Sequence, residues 1–162
     1  MATKNFKTQN VTPKTLNIAS VLINLGARRE EIVKNLYQSR FLSTLKLWGR
    51  VLSRLNNDLD DRLVWSSLSC HDFLETASKP SEAIDVIDEL ILSMPKTEII
   101  ILLYENYEKI DVIVYSTKNI NSLELAKKFN PIGNKQIAKF TLENMILADA
   151  ERTIITEIKS KL

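Results

Sequence analysis

Of the side chains that most often act as nucleophile or general base, the chain has one cysteine and one histidine, and they are neighbours, in Ser67-Leu68-Ser69-Cys70-His71-Asp72. Adjacent side chains diverge on a helix or a strand, so this thiol and imidazole do not meet. A Cys/His nucleophile pair is instead assembled from distant segments. A structural or capping role is therefore preferred to catalysis, and one histidine with one cysteine is too few for a zinc site. Asp58, Asp60 and Asp61 have the hard oxygens that a divalent cation takes, but no downstream Glu and Gly complete a calcium loop, so they read as a solvated turn. Trp48 and Trp65 are of the type that stacks a base, yet one falls on a helical apolar stripe and the other in a strand, where core packing is the commoner use. Lys127, Lys128, Lys135 and Lys139 gather around one loop and could attract a phosphate; a solvated lysine surface is the alternative. No catalytic and no metal-ligating residue is assigned.

Composition narrows the field further. The three glycines, Gly26, Gly49 and Gly133, are scattered, so neither the dinucleotide fingerprint nor a Walker A loop can be built. Lysine and arginine number 22 against 20 acids, for a formal charge of +2 with the signs well mixed. That leaves no basic face of the kind a charge-driven nucleic-acid binder presents. With 44% hydrophobic and 26% charged residues, the 162 residues suit an ordinary globular fold, one domain with a helical annex. The lone Cys70 cannot form an internal disulfide, the start MATKNFKTQN lacks the apolar stretch of a signal peptide, and no apolar run nears the ~18 residues of a membrane span. A cytoplasmic protein without a membrane partner is expected.

The elements that must position any site fall into two classes. The first third reads as helices. Thr12-Pro13 is an N-cap and N1 pair opening a helix that Gly26 stops, with Leu16, Ala19, Leu22 and Ile23 on one face. A second helix follows over Arg29–Gln38. A third, Phe41–Leu55, carries the stripe Leu42, Leu45, Trp48, Leu52 and Leu55, with Gly49 placed to permit a close crossing. After a polar turn over residues 56–61 the chain changes character. Strands are expected at Arg62–Leu68, Glu98–Tyr104, Ile110–Ser116 and Ile137–Leu142, with helices at Ser69–Ala77, Pro80–Met94, Asn121–Phe129 and Asn144–Leu162. The unbroken run Ile99–Leu103 suits a central strand covered on both faces. The resulting fold class is α+β: an N-terminal helical segment followed by a small mixed sheet of about four strands packed with helices. The expected division is a helical linker segment over 1–57 and an α+β domain over 58–162.

The order of these segments resembles a known family. Asn10-Val11-Thr12-Pro13-Lys14-Thr15-Leu16, then Leu25-Gly26-Ala27, Leu36-Tyr37-Gln38-Ser39 and Leu45-Lys46-Leu47-Trp48-Gly49-Arg50-Val51-Leu52, look like the stretch after the catalytic domain in DHH-family phosphoesterases. These RecJ-like enzymes include the oligoribonuclease/pAp-phosphatase type. Leu123 to Phe129, Lys135 and Phe140-Thr141-Leu142 are similar to the run around that family's Gly-rich loop, so the likeness covers nearly the whole chain. It implies inter-domain helices followed by the DHH-associated C-terminal domain, which holds substrate against a metal site in another domain. That other domain carries the family's Asp and His ligands for manganese. Ala2-Thr3-Lys4 stands where its last motif, Asp-Thr-Gly, would lie, so no cofactor and no activity are expected of this chain alone.

The family's binding motifs are altered here. Its Gly-Gly-Gly-Gly-His loop reads Asn130-Pro131-Ile132-Gly133-Asn134. Consecutive glycines let a backbone aim N–H groups at an anion, whereas Pro131 has no N–H and Ile132 resists positive φ. Asn134, in the histidine's place, donates a hydrogen bond but carries no charge. The family's strand Arg-Ser pair reads Tyr115-Ser116. A hydrogen bond to a charged group is worth about 1.5–3 kcal/mol, so losing that arginine weakens binding by about tenfold to a hundredfold. The resemblance thus implies Tyr115, Ser116, Gly133, Asn134 and Lys135 as substrate-binding positions, with Tyr115 stacking on a base. The expected partners are a short oligonucleotide or pAp-like nucleotide, bound weakly, and a DHH catalytic domain in cis or in trans. The alternative is a degenerate structural or protein-interaction domain that no longer binds nucleotide.

Overall fold

The structure, a computed structural model, describes residues 11–32, 42–94, 96–117 and 119–162. They belong to two compact units, Met1–Phe41 and Leu42–Leu162. In the first, α1 (Pro13–Asn24) opens as its sequence predicts. The Thr12 hydroxyl accepts from the Thr15 N–H at 3.2 Å, and the Thr15 hydroxyl accepts from the Thr12 N–H at 3.3 Å. The helix ends where Gly26 adopts φ +95°. Of the helix expected at Arg29–Gln38, only residues up to Ile32 are described.

The second unit is built on the apolar run. β3 (Ile99–Asn106) sends Ile99, Ile101 and Leu103 to one face of a sheet and Ile100 and Leu102 to the other. All five are buried, each contributing about 1.5–3 kcal/mol of transfer free energy. β3 pairs in parallel with β2 (Leu63–Leu68) and antiparallel with β4 (Lys109–Ser116), which pairs antiparallel with β6 (Ile137–Glu143). Two short strands complete the edges: β1 (Asn56–Asp58) on β2 and β5 (Ile132–Gly133) on β6. The order is β1-β2-β3-β4-β6-β5, six strands where about four are expected, but the α+β class stands.

Each face has its own helices. The face of Ile99, Val112 and Phe140 packs against α5 (Ser122–Leu125) and α6 (Leu147–Lys159), through Leu125, Ala150, Ile154 and Ile158. The opposite face packs against α2 (Leu42–Ser53), α3 (Cys70–Thr76) and α4 (Ala83–Ser93), through Leu47, Val51, Phe73, Val86, Ile87 and Leu90. Helix α2 is turned from its predicted stripe: Leu47 and Val51 are buried, while Leu42, Leu45 and Leu52 are exposed. It belongs to this unit, which spans Leu42–Leu162. Gly49 makes no close crossing with the described residues, none of which lies within 4 Å of where its Cβ would be.

Helix α3 starts in a capping box. The Asp72 carboxylate accepts from the Ser69 N–H and hydroxyl, both at 2.8 Å, and from Arg54. The helix predicted at Asn121–Phe129 is broken into α5 and a 3-10 turn over Lys127–Phe129, with Asn130 left-handed at φ 50°. Helix α6 begins at Leu147, and Leu162 lies outside its buried stripe and is exposed.

Candidate functional site

The chemistry-bearing residues of the α3 region are separated from one another. Cys70 is exposed; its backbone N–H donates to Glu105 at 2.8 Å, and burial, then the Glu105 charge, pushes its thiol above the usual range. His71 is exposed beside Glu75, 3.2 Å from the carboxylate. Asp58 accepts from the Leu59 N–H and pairs with Lys159, which holds its carboxyl below the ordinary range. Leu59, Asp60 and Asp61 continue as a left-handed turn with φ of 54°, 55° and 67°. Among the described residues, no group of three or more His, Cys, Asp or Glu side chains could hold a metal ion.

Both tryptophans pack against core clusters. The Trp65 indole N–H donates to Glu151 at 2.9 Å and Lys159 lies 5.4 Å above its ring; the Trp48 indole N–H is buried without a partner among the described residues. The four lysines do not act as one patch. Lys127 pairs with Glu124 at 3.7 Å, and Lys128 with Glu157 at 3.1 Å. Lys135 and Lys139 are exposed and form no ion pair among the described residues.

The five positions implied as substrate-binding come together at one end of the sheet. Tyr115 closes β4 opposite Ile137 of β6, and the Ser116 N–H donates to the Gln136 carbonyl at 2.9 Å. Gly133 ends β5, and the turn from β5 to β6 carries Asn134 and Lys135. Two of the five use side-chain oxygens in bonds within the protein, one buried and one in an exposed turn. The buried Ser116 hydroxyl lies 2.8 Å from the Ile120 carbonyl and 2.7 Å from the Ser122 hydroxyl, which donates to the Gln136 carbonyl at 2.9 Å. The Asn134 carboxamide oxygen accepts from the Gln136 and Ile137 N–H groups at 2.9 and 3.0 Å, and its own N–H donates to the Ile137 carbonyl at 2.8 Å. Asn134 thus closes the turn in the manner of an Asx turn.

Gly133 has a steric reason to be glycine. Its φ is +137°, and a Cβ would meet the Ile137 carbonyl oxygen at 2.1 Å. Tyr115 is half-buried, packed against the cluster that α2–α4 cover, and burial pushes its hydroxyl upward; Lys135 is exposed. The site therefore offers one phenol, one free ammonium and a turn whose backbone donors are largely committed. Lys139, with Tyr104, Asp111 and Thr141, shares the sheet face of Tyr115 and was not legible as a group, because only strand register brings it together.

Comparison with known proteins bears on this geometry. No protein-family model and no curated protein matches the sequence. An exopolyphosphatase-related protein from Bacteroides fragilis superposes with a TM-score of 0.83 at 19% identity, over 98% of this chain and 46% of its own. The fold is shared. A pGpG-specific phosphodiesterase from Vibrio cholerae superposes with a TM-score of 0.55 at 15% identity, over 97% of this chain and 54% of its own. The chain thus spans about half the length of both. No described helix is long and apolar enough to cross a membrane.

Proposed function

We propose that this chain is the substrate-binding part of a DHH-type phosphoesterase acting on short oligonucleotides or pAp-like nucleotides, with no catalysis of its own. Bond cleavage then belongs to a metal-bearing DHH domain in cis or in trans. The observation that carries the reading is the fold shared along nearly the whole chain with half of a phosphodiesterase and half of an exopolyphosphatase-related protein. The gathering of Tyr115, Ser116, Gly133, Asn134 and Lys135 at one sheet end supports it. Manganese, which the family resemblance implies, finds no set of ligands among the described residues, so no step of this chain is routed through it. Its task is to bind and orient: Lys135 neutralises a phosphate, and Tyr115 offers a ring to a base.

A second reading, a scaffold that has lost its nucleotide, is favoured by the inward-turned Ser116 hydroxyl and by the Asn134 carboxamide oxygen, which accepts from the backbone of its own turn. The test is a titration of isotope-labelled protein with pAp and with a short RNA at low salt, with and without manganese. Amide shifts confined to Ser116 and residues 130–136 uphold substrate binding. Silence at millimolar ligand upholds the scaffold and turns the search to protein partners.

A further inference from the structure

The sheet face of Tyr115 continues past it as a pocket. Positions on this face alternate with those buried against α6, so β3 contributes Tyr104, β4 Asp111 and Ile113, and β6 Lys139 and Thr141. With Ile132 of β5 they line a cavity of about 200 Å³. That is smaller than the ~300 Å³ at which drug-sized sites begin, and suits one ring system with the rest of a ligand lying along the strands.

The lining specifies a chemistry. Ile113 makes an apolar floor, and Ile132, 73% exposed, an apolar wall that no described residue covers. Asp111 is fixed by two donors, the Asn106 amide at 2.8 Å and the Thr141 hydroxyl at 2.7 Å. Each carboxylate oxygen keeps a further lone pair, so Asp111 is a pre-aimed acceptor for hydroxyl or amino groups. The Tyr104 hydroxyl, its pKa pushed up to about 12 by burial and then by the Asp111 charge, remains a neutral donor. Lys139 forms no ion pair among the described residues and stands two residues along β6 from Ile137, whose N–H helps close the Asn134 turn. At ~3.4 Å per residue that is about 7 Å. An inorganic polyphosphate has no donor for Asp111 and is repelled by it, whereas a nucleoside brings donors, an apolar ring face and an adjoining phosphate.

We propose that this pocket holds the base of the nucleotide next to the one at the β5–β6 turn, with its ribose lying along the strands and Lys139 on the phosphate between them. The domain then takes an oligonucleotide of at least two residues. This rests on the reading of the turn as a ligand site, and one experiment separates the two. The labelled full chain is titrated at low salt with pApA, pAp, adenosine and inorganic pyrophosphate. With pApA, the amides of Asp111, Val112, Phe140 and Thr141 should shift together with those of Ser116 and residues 133–136. Pyrophosphate should move the turn alone. Lys139→Ala should weaken pApA about two- to fivefold and lower the salt slope by about 0.7, leaving pyrophosphate unchanged. Asp111→Asn should narrow the preference for pApA over pyrophosphate. Turn shifts without pocket shifts, or unchanged pApA affinity in Lys139→Ala, overturn the pocket and leave the turn standing. Silence everywhere overturns both, and pocket shifts alone overturn the joint arrangement.

Discussion

Replacing each of the three glycines by alanine should give three different results, and Gly133→Ala is the one that tests the site. Its new Cβ would sit 2.1 Å from the Ile137 carbonyl oxygen, 3.1 Å from the carbon and 3.4 Å from the Ala138 Cα. That oxygen cannot swing aside as a side-chain tip would, since it accepts the Asn134 N–H at 2.8 Å. Either β5 leaves β6 or the turn distorts. A non-glycine residue forced into a glycine-only backbone region costs about 1–3 kcal/mol. The Asn134 bond adds about 0.5–1.5 kcal/mol when lost, for a total of about 2–4 kcal/mol. A domain of this size loses roughly 2–4 °C of melting temperature per kcal/mol, so a drop of about 5–15 °C is expected. Gly49→Ala is the internal control: its helical position has open space for a Cβ, and removing glycine there should stabilise by about 0.5–1 kcal/mol. Gly26 has no described residue within 4 Å of a Cβ but φ +95°, so alanine there should cost about 1–2 kcal/mol. Thermal unfolding followed by circular dichroism, with hydrogen exchange at Asn134, measures all three. A Gly133→Ala protein that melts within about 1 °C of wild type and keeps its Asn134 amide protected would refute the close approach.

Other perturbations test neighbouring claims. Ser116→Ala removes a buried hydroxyl from the Ile120–Ser122 network and should cost about 1–3 kcal/mol, read as a lower urea midpoint with an unchanged slope. Asp72 loses solvation on burial, but the Ser69 N–H and hydroxyl and then Arg54 outweigh that and hold its carboxyl below the ordinary range. A lowered folded-state pKa stabilises above the unfolded value near 3.9 and fades as pH falls through the folded value. Wild-type urea midpoints should thus fall below about pH 4 more steeply than those of Asp72→Asn, and parallel curves would count against the capping role. Tyr115→Arg should raise pAp affinity about tenfold by restoring a charged partner. Adding Asn134→His should reverse part of that gain, because histidine cannot accept the two N–H groups that the carboxamide holds.

The parts of the fold that a local signal specifies are the parts legible in the sequence. Thr12-Pro13 announces α1, Ile99–Leu103 announces a strand buried on both faces, and Asn121 caps α5. The edge strands were not legible: Asn56–Asp58 is polar, Ile132–Gly133 is two residues long, and both exist only because a longer neighbour offers a free edge. Helix α2 has apolar residues around much of its circumference, so period alone could not choose Leu47 and Val51 over Leu42, Leu45 and Leu52. At the site, the family resemblance grouped Tyr115-Ser116 with residues 130–135. It could not reveal that Ser116 and Asn134 are held by internal hydrogen bonds, or that Asp111 and Lys139 share a face with Tyr104. Those facts depend on strand register.

The charge arrangement also sets how tightly the isolated chain can bind. Of four lysines near the loop, Lys127 and Lys128 are already paired with Glu124 and Glu157, which leaves Lys135 and Lys139. Two exposed ammonium–phosphate contacts supply about 1–2 kcal/mol, and one stacked base on Tyr115 about 1–3 kcal/mol more. Their sum is near the ~4 kcal/mol of a millimolar complex and well short of the ~8 kcal/mol of a micromolar one. The missing ~4 kcal/mol has to come from a second surface, which under the proposed function is a metal-bearing domain facing the turn. Calorimetric titration of the full chain with pApA at physiological salt should therefore give a dissociation constant in the millimolar range. Addition of a DHH catalytic domain in trans should tighten it by about a thousandfold. Micromolar binding by the chain alone would mean that the pocket and turn form a complete site, and the division of labour between binding and cleavage would fail.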